Sequence, residues 1–590
     1  MKSTITNCMF MYKKIWKFSK ARIILLFVLA LSDAINIFIS TFFFKFAIDG
    51  IISDKKFSYL VILIAIRLGY LFIYQLLNNF LYNVVFPQQE NKIKKGLTLE
   101  LYSKISDISI DKFDDSETYD MLTRAINESD NRAVWILATL NSLLSSIAQI
   151  IIMFITLAYL SPLTIIIAIA GALVTFWGNL INSKKCYNYE MQKTNASRKL
   201  DYIKRIFYLP QYKEDLKMTN IDGIFKYKYK ENINDLNHII KKHSPSIAGV
   251  AVSASWLFNF LNIGISSLYV GLKIYEGTMS IGDFTSVIAA IGNLSNNFLN
   301  FSNIIPDFKK HSMFIDNYLK VMKIPNKRNE NLKRLSKESL DNITLKDVSF
   351  SYLHSDKVLK SINLNIKKGE KIAIVGENGA GKTTLLRIIT GLYTPTEGSI
   401  LFNNIDYEHI DLNDIYKKFA VVQQDFQLYA MTLQENISMN LYNDTDIKKV
   451  FESIKMAGLE PCVKELDNGI LSNMTTEFEK DGINFSGGQG QKLVIARALY
   501  AESDCLIMDE PSSALDPKSE QEFFDILEQI GKDKTVIMVS HRLSCVKHMD
   551  LICYMKKGQI TEKGTHKELI ELNGDYAKLF QLQANRYGND

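Results

Sequence analysis

Cysteine is scarce in this chain: the sequence holds only Cys8, Cys186, Cys462, Cys505, Cys545 and Cys553 among 590 residues. Their spacing matches no metal-ligand pattern, and the topology derived below puts all six in the cytosol, which argues against a disulfide framework. A strong charge of one sign is also missing. The net charge is +6, from 69 basic and 63 acidic residues, and the lysines lie between apolar runs instead of forming a stripe that would fit nucleic acid. There is no internal repeat, no low-complexity segment and no small-residue cleavage site after the basic N-terminus, so the first apolar run is read as a retained membrane helix. A chain of this length exceeds what one core supports, and two or more domains are expected.

What the sequence does have is long apolar stretches, confined to its first half. Runs able to span a bilayer, which takes about 20 residues each, occur at 22–48, 57–86, 133–160, 162–183, 246–272 and 284–305. Pro162 suits the start of a new helix after a tight hairpin. The connections 88–131 and 183–244 are long, polar and lysine-rich, so the positive-inside bias places them and the N-terminus in the cytosol. Leu97, Leu101, Tyr102 and Ile105 share one helical face, so the spans are expected to continue as helices beyond the bilayer. The expected fold class is a six-helix membrane domain, residues 1–320, a linker at 321–340, and an α/β P-loop domain at 341–590.

The second half carries the chemistry. Gly376-Glu377-Asn378-Gly379-Ala380-Gly381-Lys382-Thr383 follows an apolar strand and opens an apolar helix. In such a loop the glycines, Gly376, Gly379 and Gly381, and Asn378 let backbone N–H groups close on phosphates. Lys382 reaches the outer phosphates, Thr383 ligates Mg²⁺, and Thr384 follows at the helix start. Downstream, Cys505-Leu506-Ile507-Met508-Asp509-Glu510 is a strand ending in two carboxylates. Asp509 suits a metal and Glu510 the activation of water. Between the two lies Ser486-Gly487-Gly488-Gln489, a second helix start suited to an anion.

Together with His541 in Val539-Ser540-His541-Arg542, these motifs resemble the nucleotide-binding domain of ATP-binding cassette (ABC) transporters, and six spans ahead of the cassette resemble the half-size exporters. The resemblance implies ATP and Mg²⁺ as cofactors and Tyr352 as the aromatic that stacks on adenine. It implies Gln424 as the residue that touches Mg²⁺ and water, with Gln423 as the alternative register. Ser513-Ala514-Leu515-Asp516 resembles the loop that crosses the dimer, Glu510 the catalytic base, and His541 the switch histidine. In this family the signature of one cassette covers ATP held by another, so Ser486, Gly487, Gly488 and Gln489 imply a second half-transporter, expected to be an identical chain. One departure stands out. Where exporters usually carry a glycine-glutamate pair, this chain has Glu479-Lys480-Asp481-Gly482, so the coupling contact is not assigned to Lys480.

Residues 111–119 and 208–215 resemble coupling helices that dock on cassettes. Asp33 and Arg67 fall at similar depth in the first two spans, and an internal ion pair is expected, against the alternative that either faces cargo. Asn259 and Asn262, and Asn293, Asn296 and Asn297, read either as interhelical hydrogen-bonding groups or as a polar cavity wall. The expected function is ATP-driven export across the plasma membrane of a bacterium. The segments 478–492 and 113–124 resemble bacterial exporters of ribosomally made peptides, including lantibiotic and bacteriocin systems. Lipid or amphipathic drug is the alternative cargo, and an ATP-gated channel or regulator the alternative class. Membrane lipid is an expected partner and nucleic acid is not.

Overall fold

The computed structural model describes residues 2–325, 334–335, 339–353, 355–511 and 534–587. It divides into two compact units, Met1–Ile105 with Met121–Lys323, and Ser106–Asp120 with Ile324–Asp590. The expected dimer-crossing loop at 513–516 and most of the expected linker lie outside the described residues.

The first unit is helical. It contains α1 (Lys2–Phe18), α2 (Lys20–Ile52), α3 (Phe57–Ser106), α4 (Ser116–Leu160), α5 (Pro162–Tyr208), α6 (Ile221–Tyr275) and α7 (Ile281–Lys323). Among the described residues, α2 to α6 each hold a stretch long and apolar enough to cross a bilayer. The sixth expected span, 284–305, falls in α7 as continuous helix outside those five. Its asparagines lower its hydropathy. Pro162 sits at the first turn of α5, where its missing N–H costs nothing. Short π-helical turns at Leu81–Val85 and Phe260–Ile265 interrupt α3 and α6.

Several helices run well past bilayer length. Ile93, Leu97 and Leu101 are buried on one face of α3 as the spacing requires, whereas Tyr102 is exposed. Ile93 and Leu97 pack with Cys8, Met11 and Ile15 of α1 and with Ile136 and Leu137 of α4. The expected Asp33–Arg67 pair does not form. Asp33 accepts from the hydroxyls of Tyr74 at 2.8 Å and Ser145 at 3.0 Å, and Arg67 donates to Asn36 at 3.1 Å. Hydroxyl donors from α3 and α4 meet the carboxylate, so each charge is hydrogen-bonded without the other. Nor do the buried asparagines bridge helices through their amide donors. Asn262 and Asn297 each donate to a carbonyl one turn back in their own helix, Phe258 at 3.2 Å and Asn293 at 2.9 Å.

The second unit is built on β1 (Asn342–Ser351), β2 (Lys357–Lys367), β3 (Lys371–Gly376), β4 (Glu397–Phe402) and β5 (Ile405–Asp406). It continues with β6 (Phe419–Val422), β7 (Cys505–Asp509), β8 (Thr535–Val539), β9 (Leu551–Lys556) and β10 (Gln559–Gly564). A four-stranded antiparallel sheet has the order β2-β1-β4-β5, and a six-stranded sheet the order β10-β9-β3-β8-β7-β6. In the larger sheet β9, β3, β8, β7 and β6 pair in parallel. Every residue of β7 and β8 is buried, which explains why both read as continuous apolar runs instead of alternating ones.

Gly376 shows how tightly this sheet fixes its loop. Its φ is +147°, and a Cβ placed there would sit 2.1 Å from the Met555 carbonyl oxygen on β9. Gly376→Ala is therefore expected to destabilise the cassette by about 2–4 kcal/mol. Calorimetry of the full chain in detergent checks this as a lower Tm for the cassette transition, with the membrane-unit transition unmoved.

Candidate nucleotide site and coupling segment

The site forms where parallel strands end together. Val375 and Gly376 close β3, Asp509 closes β7, and Ser540 and His541 follow β8. Register pairs Ile374 with Val539 and Asp509 with Val539, so these three strand ends share one edge. Ligands of open parallel sheets bind at such carboxyl ends. From Gly376 the chain turns through Gly379 and Gly381, both at positive φ, into the helix α8 (Lys382–Ile389). A Cβ at Gly381 would lie 2.9 Å from Leu359 on β2, so the turn is close-packed as well as left-handed.

Lys382 is 6 % exposed, and its ammonium donates to the carbonyls of Gly376 at 3.0 Å and Glu377 at 2.9 Å. Burial pulls its pKa down, against the pull of Glu510 and Asp509 upward. Asp509 is 7 % exposed, and burial raises its pKa above the ordinary aspartate range; a hydrogen bond from Thr383 opposes that, and the neighbouring Glu510 charge adds to it. Its Oδ1 is buried with no hydrogen-bond partner among the described residues. A buried orphan carboxylate oxygen beside a threonine hydroxyl fits a hard cation with oxygen ligands.

Glu510 adopts φ +51°, a left-handed conformation uncommon outside glycine, and its N–H donates to Val539 at 3.0 Å. That turn carries its carboxylate to 2.7 Å from Nε2 of His541. Strain of this kind persists where surrounding bonds hold it, here the sheet on either side.

Other expected residues gather more loosely. Tyr352 reaches the start of α8, its hydroxyl 3.0 Å from that of Thr384. Gln424 and Gln423 both lie exposed in the loop after β6. Ser486 is the N-cap of α9 (Gly487–Tyr500): its hydroxyl accepts from the Gln489 N–H at 3.3 Å, and the Gln489 side chain accepts from the Ser486 N–H at 2.9 Å. This reciprocal cap satisfies the N–H groups of Ser486 and Gln489 and fixes the entry of the chain into α9. Ser486 and Gln489 thus bond to one another within this turn. Glu479 and Lys480 lie on an exposed turn beside Phe478, which is 81 % exposed, and Glu479 is bonded to Asn473.

Three residues of this region were not found from sequence. Gln491, one turn into α9, donates to the Pro511 carbonyl next to Glu510, tying the signature helix to the end of β7. Arg497 holds the loop after β6 by donating to Asn436 at 2.8 Å and Gln427 at 3.4 Å. Tyr393 is 3 % exposed and stands in mutual edge-to-face contact with Phe350 and Tyr352, at 5.3 Å and 5.7 Å between ring centroids. Its hydroxyl donates to Asp114 at 2.5 Å, in the 106–120 segment that packs with this unit. Burial and that bond push its pKa up to about 12. The aromatic spacing Phe350, Tyr352, Tyr393 was the one available signal.

Known proteins supply the family. A family model described as "ABC transporter" matches residues 359–513, and one described as "ABC transporter transmembrane region" matches residues 23–198. This chain is an ABC transporter. It is similar to the subtilin transport ATP-binding protein SpaT of Bacillus subtilis, with 28 % identity over 82 % of this chain and 79 % of that protein. It is also similar to the ATP-dependent lipid A-core flippase of Francisella tularensis subsp. tularensis (strain FSC 198), with 28 % identity over 82 % and 78 %. The transporter's fold matches a bacterial Atm1-family ABC exporter with ATP bound, at a TM-score of 0.79 and 19 % identity over 96 % of this chain and 98 % of that one. The transporter is thus an exporter-type, multi-pass membrane ATPase coupled to transport, and its half-transporter architecture calls for a second half.

Replacing Glu510 with Gln is expected to lower steady-state hydrolysis by about 10²–10⁴-fold while ATP still binds. Phosphate release and equilibrium binding of a fluorescent ATP analogue, measured on the same preparation, check both halves of that statement.

Proposed function

We propose that this transporter is a homodimeric exporter of ribosomally made peptides, working by alternating access in the plasma membrane of a bacterium with its cassettes in the cytosol. Similarity to a protein named for subtilin transport supports the cargo class. The flippase relatives support lipid as the second reading. Hydrolysis is assigned to Glu510 as base and His541 as switch, on the observation that carries it: a carboxylate 2.7 Å from an imidazole, at the strand edge that also holds Lys382 and Asp509. Adenine stacks on Tyr352. The γ-phosphate is met by Lys382 and by the loop N–H groups through Gly381, and the partner copy's signature turn covers it.

Thr383, Asp509 and Gln424 are the residues that would hold Mg²⁺, which when bound neutralises charge on the transferring phosphoryl group. Within the chain, burial disfavours the ionised Asp509 that such a cation needs, while the Thr383 hydrogen bond and the Lys382 charge favour it. Because burial raises its pKa, protons compete with Mg²⁺ at higher pH than they would at an exposed aspartate. The half-saturating Mg²⁺ concentration for ATP hydrolysis is therefore expected to climb as pH falls toward the Asp509 pKa, whereas Asp509→Asn should hydrolyse weakly at every pH. Titrations of Mg²⁺ at a series of pH values test it; a pH-independent half-saturation would contradict the assignment.

Motion passes to the membrane helices through the 106–120 segment, which joins α3 to α4 and whose Asp114 is held by Tyr393. Tyr393→Phe removes a charge-assisted hydrogen bond worth about 1.5–3 kcal/mol. Purified variant in vesicles should keep hydrolysing ATP while cargo flux per ATP falls. For cargo itself, the deciding assay is reconstituted transporter challenged with a lanthionine precursor peptide and, separately, with lipid A. Stimulated hydrolysis and ATP-dependent uptake of the peptide into inside-out vesicles support the proposal, and stimulation by lipid A alone overturns it.

A further inference from the structure

The switch histidine sits on a short turn, and a side chain from the other end of the cassette holds that turn. After β8, Ser540 closes a tight loop in which its hydroxyl accepts from the Arg542 N–H at 3.0 Å and donates to the Arg542 carbonyl at 3.1 Å. A 3-10 turn, Leu543–Cys545, follows. The side-chain amide of Gln583 meets this loop twice. Its Nε2 donates to the His541 carbonyl at 2.7 Å, and its Oε1 accepts from the Leu543 N–H at 2.9 Å.

A primary amide engaged through both ends fixes the peptide planes on either side of Arg542 and leaves little freedom to the backbone that aims the imidazole. Catalytic groups tolerate about 0.5 Å of misplacement before the rate suffers, so such a hold matters at a 2.7 Å contact. The arm that presents Gln583 is itself anchored. Gln583 lies two turns beyond Tyr576 on α10 (Asp575–Tyr587), and Tyr576 and Ala577 are fully buried. Glu562 on β10 accepts from the N–H groups of Asp575 at 2.6 Å and Tyr576 at 3.1 Å, capping the helix start. The Tyr576 hydroxyl lies 2.8 Å from Nδ1 of His566.

We propose that Gln583 is a positioning residue for hydrolysis: by bridging the His541 carbonyl and the Leu543 N–H it sets the orientation of the His541 ring toward Glu510 and the γ-phosphate. This rests on reading Glu510 and His541 as the hydrolytic pair. It makes α10 part of the ATPase machinery.

The test uses the full chain in lipid nanodiscs. Gln583→Met keeps the side chain's length and removes both hydrogen bonds; Gln583→Glu keeps only the acceptor for Leu543. Gln581→Ala, a change at an exposed position on the same helix, is the control. Gln583→Met is expected to lower kcat about tenfold with KM for ATP within about twofold, Gln583→Glu to fall between it and the parent, and Gln581→Ala to match the parent. In a His541→Ala background, Gln583→Met should add no further loss to the single-turnover rate, because the two act through one group. An unchanged kcat in Gln583→Met overturns the proposal, as does a lower Tm with full kcat per folded molecule, or full additivity with His541→Ala. If His541→Ala itself keeps the parent rate, it is the reading of the hydrolytic pair that fails, and the two failures are thereby told apart.

Discussion

The parallel register of β3, β8 and β7 is the constraint on which the rest depends. β7 and β8 are buried at every residue and β3 at all but Lys371, so a slip of one residue would exchange the side chains packed against the two faces of the sheet and break that packing. That fixed register delivers the phosphate loop, the Asp509–Glu510 pair and the His541 turn to one edge. It also supplies the force that holds Glu510 at positive φ and leaves no room for a Cβ at Gly376. The chemistry at the edge is a balance of unlike burials. An ammonium is satisfied by loop carbonyls, one carboxylate is desolvated with an orphan oxygen, and a second is paired with an imidazole.

Around this edge the structure adds ties that link its motifs within one unit. Gln491 joins the signature helix to the residue after Glu510, and Arg497 joins the same helix to the loop of Gln424. Phe426 in that loop packs so closely on Gly490 that a Cβ there would lie 2.8 Å from its ring. A change of position in the loop after β6 is therefore felt at the start of α9. Tyr393 ties in the 106–120 segment in the same way, standing between the Tyr352 ring and the Asp114 carboxylate.

The loop from Gly376 to Thr383, the Asp509–Glu510 strand end, the helix start at Ser486 and the turn of His541 were legible as structure because each is a local pattern set by neighbours in the chain. The long helices were legible for the same reason, through apolar length and the buried face of Leu97 and Leu101. Contacts that join distant segments were not. Nothing in the sequence distinguishes Gln583 from Gln581, yet one holds the His541 turn and the other is exposed. The Asp33–Arg67 pairing failed in the same way. Position along two helices does not say which side chains meet, and the hydroxyls of Tyr74 and Ser145 met Asp33 while Asn36 met Arg67.

The docking of residues 106–120 with the cassette carries a consequence for how the molecule is made. Asp114 leaves the ribosome 279 residues ahead of Tyr393, its partner. The turn between α3 and α4 thus remains without its mate until the last third of the chain has been synthesised and folded. Domains otherwise mature in order from the N-terminus. Here the turn at 106–120 finds its packing partners only after the soluble half has been made.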